Sequence, residues 1–170
     1  HKIGSYVHGG VIEEALLSDC FVELIGDGHH VSRESLLLTL KCKGAGRVCI
    51  VSDAMRAAGT SGLSESWLGA VRPENRVIIE DGVAKLPDRS SFAGSLAVGD
   101  TIVKALIGYG IDLPVISEMM SETPARLLGL SDRGEIKKGL RADIAVLDEN
   151  FGTVMVLRAG EIVFRREKHA

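Results

Sequence analysis

The chain has 170 residues, of which 45% are hydrophobic, 25% charged and only 4% aromatic, a globular composition that excludes intrinsic disorder and a collagen-like repeat. Its formal net charge of -3 leaves no basic footprint for nucleic acid, and no apolar run reaches the roughly 18 residues that a membrane span needs. By size scaling a chain of this length can bury roughly 68 to 70% of its unfolded surface, so a core without covalent staples is possible.

The sequence opens at His1 rather than Met, and residues 1–5 have neither the charge pattern nor the apolar stretch of a targeting segment. The expectation is part of a longer gene product, or a trimmed chain, with partners for any site upstream. Residues 21–25, FVELI, are β-branched and aromatic and run into Gly26-Asp27-Gly28, which predicts a strand and a turn. A helix follows, capped by Ser32, carrying Leu36, Leu37, Leu38 and Leu40, and stopped by Gly44. Val48-Cys49-Ile50-Val51 is nearly all apolar, as suits a strand buried on both faces of a parallel sheet, and Asp53 stands just past its carboxyl end. Strand, helix, strand predicts a βαβ unit, and α/β proteins place their chemistry at the carboxyl ends of such strands. Twenty glycines against four prolines agree with the many tight turns of that class.

Residues 54–63 read as a loop of glycine and small side chains. Short hairpin-like pieces at 67–71, 76–80 and 83–86, the last two flanking the turn Asp81-Gly82, predict a β-hairpin insertion near 66–86. A turn-rich stretch at 88–95 opens a helix over 96–109, with Val98, Ile102, Ala105 and Leu106 on one face. Pro114 can begin a short helix, and Thr123 as cap with Pro124 at the first helical position begins another, which Gly129 stops. Strands follow at 142–148, 154–157 and 161–164, with a turn at 158–160; so little β structure should pack on strands from elsewhere, for which an upstream segment is the supplier. Cys20, Cys42 and Cys49 show no C-x-x-C spacing and follow no secretory signal, which points to reduced thiols in a cytoplasmic protein.

Three places could carry chemistry. Asp27-Gly28-His29-His30 puts a carboxylate and two imidazoles at a strand end, although a turn Asp-Gly after a strand is common and adjacent histidines are no metal pair. Asp53 is a lone carboxylate at the end of an apolar strand, followed by small residues that let a substrate approach; an Asx turn is the competing reading. Ser91-Phe92-Ala93-Gly94-Ser95 is a small-residue loop opening a helix whose free N–H groups could hold a hydroxyl or an anion, with Ser95 as a plain helix cap the alternative. His1, His8 and His169 sit in an irregular start and a charged end, where solvated positions explain them.

Taken in order, IGDGHHV, CIVSDAM, FAGS, ETPARLLGL and GEIKKGLRADIAVLD followed by VLRAGEIVF form a series that resembles the carboxyl-terminal portion of N-acetylglucosamine-6-phosphate deacetylases, of the amidohydrolase superfamily. The resemblance covers nearly the whole chain. It implies an α/β fold, the carboxyl-terminal part of a metal-dependent (β/α) TIM-type barrel at residues 1–129, plus the second half of a small β-sandwich at 130–170. It also implies a small-molecule amino sugar phosphate as substrate, a divalent metal ion of the zinc or iron class, and a homodimer or higher homo-oligomer. The family's metal ligands, a Glu and two His, belong to earlier strands and have no counterpart here, so no metal ligand is assigned to this chain and the piece is expected to be inactive alone.

Residue by residue, the resemblance makes Asp53 the general base and then the general acid, and His30 a holder of the sugar phosphate. Asp27, Gly28 and His29 fall in the same substrate-contacting loop, and Phe92, Ala93 and Gly94 in the loop that contacts the sugar through backbone groups. The family's substrate arginine, reaching from a neighbouring subunit, would fall near Lys2, which would offer a point charge without a bidentate fork. In the complete enzyme the metal would lower the pKa of its bound water to about 7, and Asp53 would carry the water's proton to the departing nitrogen. The rival expectations are another amidohydrolase with the same tail, such as a cyclic amide hydrolase or a nucleobase deaminase, and a non-catalytic folded fragment associating through open strand edges.

Overall fold

In the computed structural model, residues 10–167 are described; His1, Lys2, His8 and His169 lie outside them. The βαβ unit forms where its pattern places it. Strands β1 (Val22–Ile25) and β2 (Val48–Val51) pair in parallel, with Val22 opposite Val48 and Ile25 opposite Val51. The connecting helix α2 (Arg33–Lys43) is capped by Ser32, whose hydroxyl accepts the Ser35 amide at 3.2 Å, and it ends at Gly44 with φ 67°. Val48, Cys49 and Ile50 are all buried, as an apolar run without alternation requires. Leu36 of α2 joins Val48, Ile50, Ile102, Leu106 and Met119 in the larger core.

A short helix, α1 (Val11–Leu17), precedes this unit in a stretch for which the sequence predicts no element. It is one residue short of eight, buries nothing completely, and leaves Val11 and Leu17 exposed, so no apolar stripe announces it. Lys43 Nζ ties it to α2 by donating to the Ala15 carbonyl at 2.9 Å and to the Ser18 carbonyl.

The insertion is a three-stranded antiparallel sheet of β3 (Glu65–Trp67), β4 (Arg76–Glu80) and β5 (Val83–Lys85). Its first strand lies earlier than expected, with Trp67 as its last residue. A small second core of Met55, Ala57, Val77, Ala84 and Ala93 holds this sheet against the segments around it.

Helix α3 (Gly99–Gly108) begins three residues later than predicted, with Ser95 bridged to 53–55 and the extended Val98 standing ahead of the first turn. Thr123 is not a helix cap. Helix α4 (Leu113–Ser117) passes through a π turn (Glu118–Glu122) into α5 (Thr123–Leu127) without a break, and Thr123 itself has helical φ and ψ of -61° and -48°. The wide turn accommodates Pro124, which has no N–H to give to the preceding turn. Thr123 Oγ1 instead donates to the Ala45 carbonyl at 2.9 Å.

The last sheet is an antiparallel meander of β6 (Ile144–Leu147), β7 (Thr153–Arg158) and β8 (Glu161–Arg165). Leu147 and Phe151 rest on the larger core, and the Thr153 amide donates to Asp100 at the start of α3 at 3.3 Å. Every residue of β8 is exposed.

Candidate active site

The parallel ladder runs one step past the strands. The Gly26 amide donates to the Val51 carbonyl at 3.1 Å, and the chain can come that close because a Cβ at Gly26 would lie 2.5 Å from Ile50 Cγ2. Beyond that pairing the two strands release Asp27 and Asp53 at the same edge of the sheet.

Asp27 is the hub of its turn. Oδ1 accepts the amides of His29 (2.9 Å) and His30 (3.0 Å), while Oδ2 lies 2.7 Å from His30 Nδ1. Its side chain is only 3% exposed, against 16% for that of His30. Burial pushes the Asp27 carboxyl up, yet the hydrogen bonds from the His30 and His29 amides, the His30 ring and the Ser95 hydroxyl outweigh it and hold the group below its usual range. The His30 ring then meets Phe92, centroids 4.9 Å apart at 59°, a tilted contact favourable for two rings. Gly28 supplies a φ of 83° at the turn, and Tyr109 braces it by donating to the Gly28 and Val31 carbonyls at 3.2 and 3.4 Å. His29 is exposed and leans towards the β4–β5 turn: a Cβ at Gly82 would sit 4.0 Å from His29 Nε2.

Asp53 has φ 48°, a region that Asp and Asn enter more readily than other side chains. Its carbonyl accepts the Ser95 amide at 2.8 Å and the Ser95 carbonyl accepts the Met55 amide at 2.9 Å, a parallel bridge between Ser95 and Ala54 just past the end of β2, while Phe92 bridges Lys85 in antiparallel. Asp53 is exposed, and the Ala54 amide donates to Ser52 Oγ at 3.3 Å rather than to the Asp53 carboxylate. The carboxylate is thus held on a fixed backbone and left to solvent. Of the loop residues, Ala93 is buried and donates its amide to Ala84 at 2.9 Å, Gly94 takes φ 74° against Asp53 and Met55, and Phe92 is 42% exposed.

The structure therefore joins Asp27, His30 and Phe92 side chain to side chain, and joins Asp53 to Gly94 and Ser95 through backbone. Ser95 is no helix cap: it is buried, with its amide on the Asp53 carbonyl, its hydroxyl accepting the Ala97 amide at 3.0 Å and helping to lower the Asp27 carboxyl. Tyr109 and Gly26 were not singled out from sequence, since a tyrosine closing an apolar helix face and a glycine before a turn carry no local signal of their long-range contacts.

Next to Phe92 a cleft of about 450 Å³ is lined by Lys85, Arg89, Ser90, Ser91 and Phe92. Its cations are already paired. Lys85 reaches Glu80 and Asp81 at 3.1 Å each, and Arg89 grips both oxygens of Glu80 at 2.9 and 3.1 Å.

Among the described residues no three of His, Cys, Asp and Glu come together as a metal site. These residues do not by themselves fit a divalent ion, and no chemical step is routed through one. Also among the described residues, no helix is long and apolar enough to cross a membrane.

No protein-family model matches the chain. It is 30% identical over 150 residues to the N-acetylglucosamine-6-phosphate deacetylase of Haemophilus influenzae, a match that takes in 86% of this chain and 38% of that protein. It is 26% identical over 161 residues to an N-acetylgalactosamine-6-phosphate deacetylase of Shewanella, with 94% and 39% covered. In three dimensions it superposes on the N-acetylglucosamine-6-phosphate deacetylase of Thermotoga maritima with a TM-score of 0.84 at 35% identity, over 95% of this chain and 44% of that one. The chain spans less than half the length of these relatives. Its resemblance to the carboxyl-terminal portion of N-acetylglucosamine-6-phosphate deacetylases, and the α/β architecture of barrel plus β-sandwich that goes with it, are borne out.

Proposed function

We propose, from that likeness in sequence and fold, that a protein with these residues as its carboxyl-terminal portion hydrolyses the acetamide of N-acetylglucosamine 6-phosphate to glucosamine 6-phosphate and acetate. Asp53 is the acid and base, and His30 holds the phosphate. One observation carries this assignment: the Asp53 carboxylate and the His30 turn leave adjacent parallel strands at one edge, bridged by the 92–95 segment that touches both.

In the reaction, Asp53 takes a proton from the attacking water as its oxygen bonds to the acetyl carbon. It then delivers that proton to the sugar nitrogen as the carbon–nitrogen bond breaks, so acetate and the free amine leave and the carboxylate is restored. Proton relays of this kind contribute roughly a hundredfold to ten-thousandfold. A carboxylate on a strand end, with its carbonyl locked into a ladder, suits that duty better than one on a loose loop. Phe92, Ala93 and Gly94 border the sugar, with Phe92 also backing the His30 ring.

The likeness to an N-acetylgalactosamine-6-phosphate deacetylase favours a second reading in which the 4-epimer is the substrate, with the same residues in the same roles. The test is acetate release by the purified full-length gene product from each of the two sugar phosphates. Release from either, lost with the unphosphorylated sugar, supports the reading; ammonia release from adenine in place of acetate release overturns it in favour of a nucleobase deaminase.

A further inference from the structure

We propose that Asp27 is a positioning residue which fixes the tautomer of His30, and that it does not touch the substrate itself. The inference rests on the reading of His30 as the phosphate holder and assigns the means by which that residue is set. The Asp27 carboxylate has no face left for a ligand: one oxygen is taken by two backbone amides, the other by His30 Nδ1 at 2.7 Å, and the Ser95 hydroxyl also reaches the group. With its side chain 3% exposed, it is closed off from solvent by its own turn.

The chemical consequence falls on the ring. An ionised carboxylate only accepts hydrogen bonds, so His30 Nδ1 must carry a proton and Nε2 is the nitrogen left to meet a ligand; a phosphate also only accepts, so Nε2 takes up a proton when phosphate binds, and the Asp27 carboxylate balances the charge the ring then carries. The hydrogen bonds that hold Asp27 below its usual range keep it ionised at neutral pH. The Phe92 ring packs against the same imidazole, centroids 4.9 Å apart. Ser95, whose hydroxyl helps to lower the same carboxyl, has its amide on the Asp53 carbonyl. Asp27 therefore links the group that would hold the substrate to the ladder that holds the acid and base, as outer partners do for imidazole ligands elsewhere.

The test begins with nitrogen-15 chemical shifts of the His30 ring in the full-length protein without ligand, at a pH where those shifts themselves show a singly protonated ring. Nδ1 is expected to be protonated and Nε2 bare. In Asp27→Asn one oxygen can still accept the two amides, but the side-chain amide now donates to Nδ1, so the tautomer is expected to invert to Nε2–H. A wild-type ring protonated at Nε2, or a tautomer unmoved by Asp27→Asn, overturns the proposal. If Asp27→Asn does not fold, the wild-type shifts alone decide it. These readouts need neither substrate nor turnover, so they stand or fall apart from the proposed reaction. Where acetate release is measurable, Asp27→Asn should raise KM for the sugar phosphate roughly tenfold or more, the scale on which outer partners act, with kcat changed far less. A fall confined to kcat overturns the positioning role.

Discussion

Ser95 and Asp53 meet backbone to backbone, the Ser95 amide giving a 2.8 Å hydrogen bond to the Asp53 carbonyl while Gly94 packs beneath it. Two separate demands fall on Gly94. Its φ is 74°, and an added Cβ would lie 3.0 Å from Met55 Cβ and 3.3 Å from the Asp53 carbonyl oxygen. Gly129, which stops α5, has a similar φ of 68° but nothing within 4 Å. Gly129→Ala should therefore cost only the left-handed backbone term, about 1 to 2 kcal/mol. Gly94→Ala should cost more, about 2 to 4 kcal/mol with the clash added. Paired denaturant titrations check this, and equal losses would show that the Gly94 neighbours give way freely.

Asp53→Asn separates chemistry from folding. Asn accepts the left-handed region at least as readily as Asp, and the 48° backbone with its Ser95 bond asks nothing of the carboxylate. Thermal stability should stay within the small range of surface changes, about 0.5 kcal/mol. Acetate release by the full-length protein should fall by roughly a hundredfold to ten-thousandfold while the sugar phosphate still binds. Near-normal turnover removes Asp53 from the mechanism.

Acid should find Asp27. Its folded value lies below the ordinary 3.8, so the carboxylate contributes stability that is fully present above that pH and is lost as pH falls through the lowered value. The stability gap between wild type and Asp27→Asn, from denaturant titrations at several pH values, should be widest near neutrality and close in strong acid. A gap that is constant with pH would mean that Asp27 acts by shape alone.

The strand-end chemistry was legible because it is local. VCIV without alternation predicts a buried parallel strand, DGHH a turn, Ser32 and Gly44 the two ends of α2, and all of these form as written. What was not legible depends on contacts far apart in sequence. Ser95 looks like a helix cap because a serine before an apolar helix usually is one; only pairing with 53–55 across some forty residues turns it into a ladder residue and delays α3 to Gly99. Thr123-Pro124 likewise carries the signature of a helix start, and the π turn ahead of it, which lets the helix continue through the proline, leaves no mark in composition.

Thr123 shows how the misread position matters for the site. It is 0% exposed, and its hydroxyl donates at 2.9 Å to the Ala45 carbonyl, in the short turn that leads directly into β2. Arg126 works alongside it, donating to Thr123 Oγ1 at 3.3 Å and to the Gly46 carbonyl at 2.5 Å. Thr123→Val keeps the volume and removes the donor; the Ala45 carbonyl keeps the Val48 amide, so the cost is that of one lost hydrogen bond, about 0.5 to 1.5 kcal/mol. Because β2 carries Asp53 at its far end, the loss should also appear as faster amide exchange along 48–51, where protection reports local opening. Denaturation and hydrogen exchange together decide the case: destabilisation with unchanged exchange in β2 would confine Thr123 to its own helix.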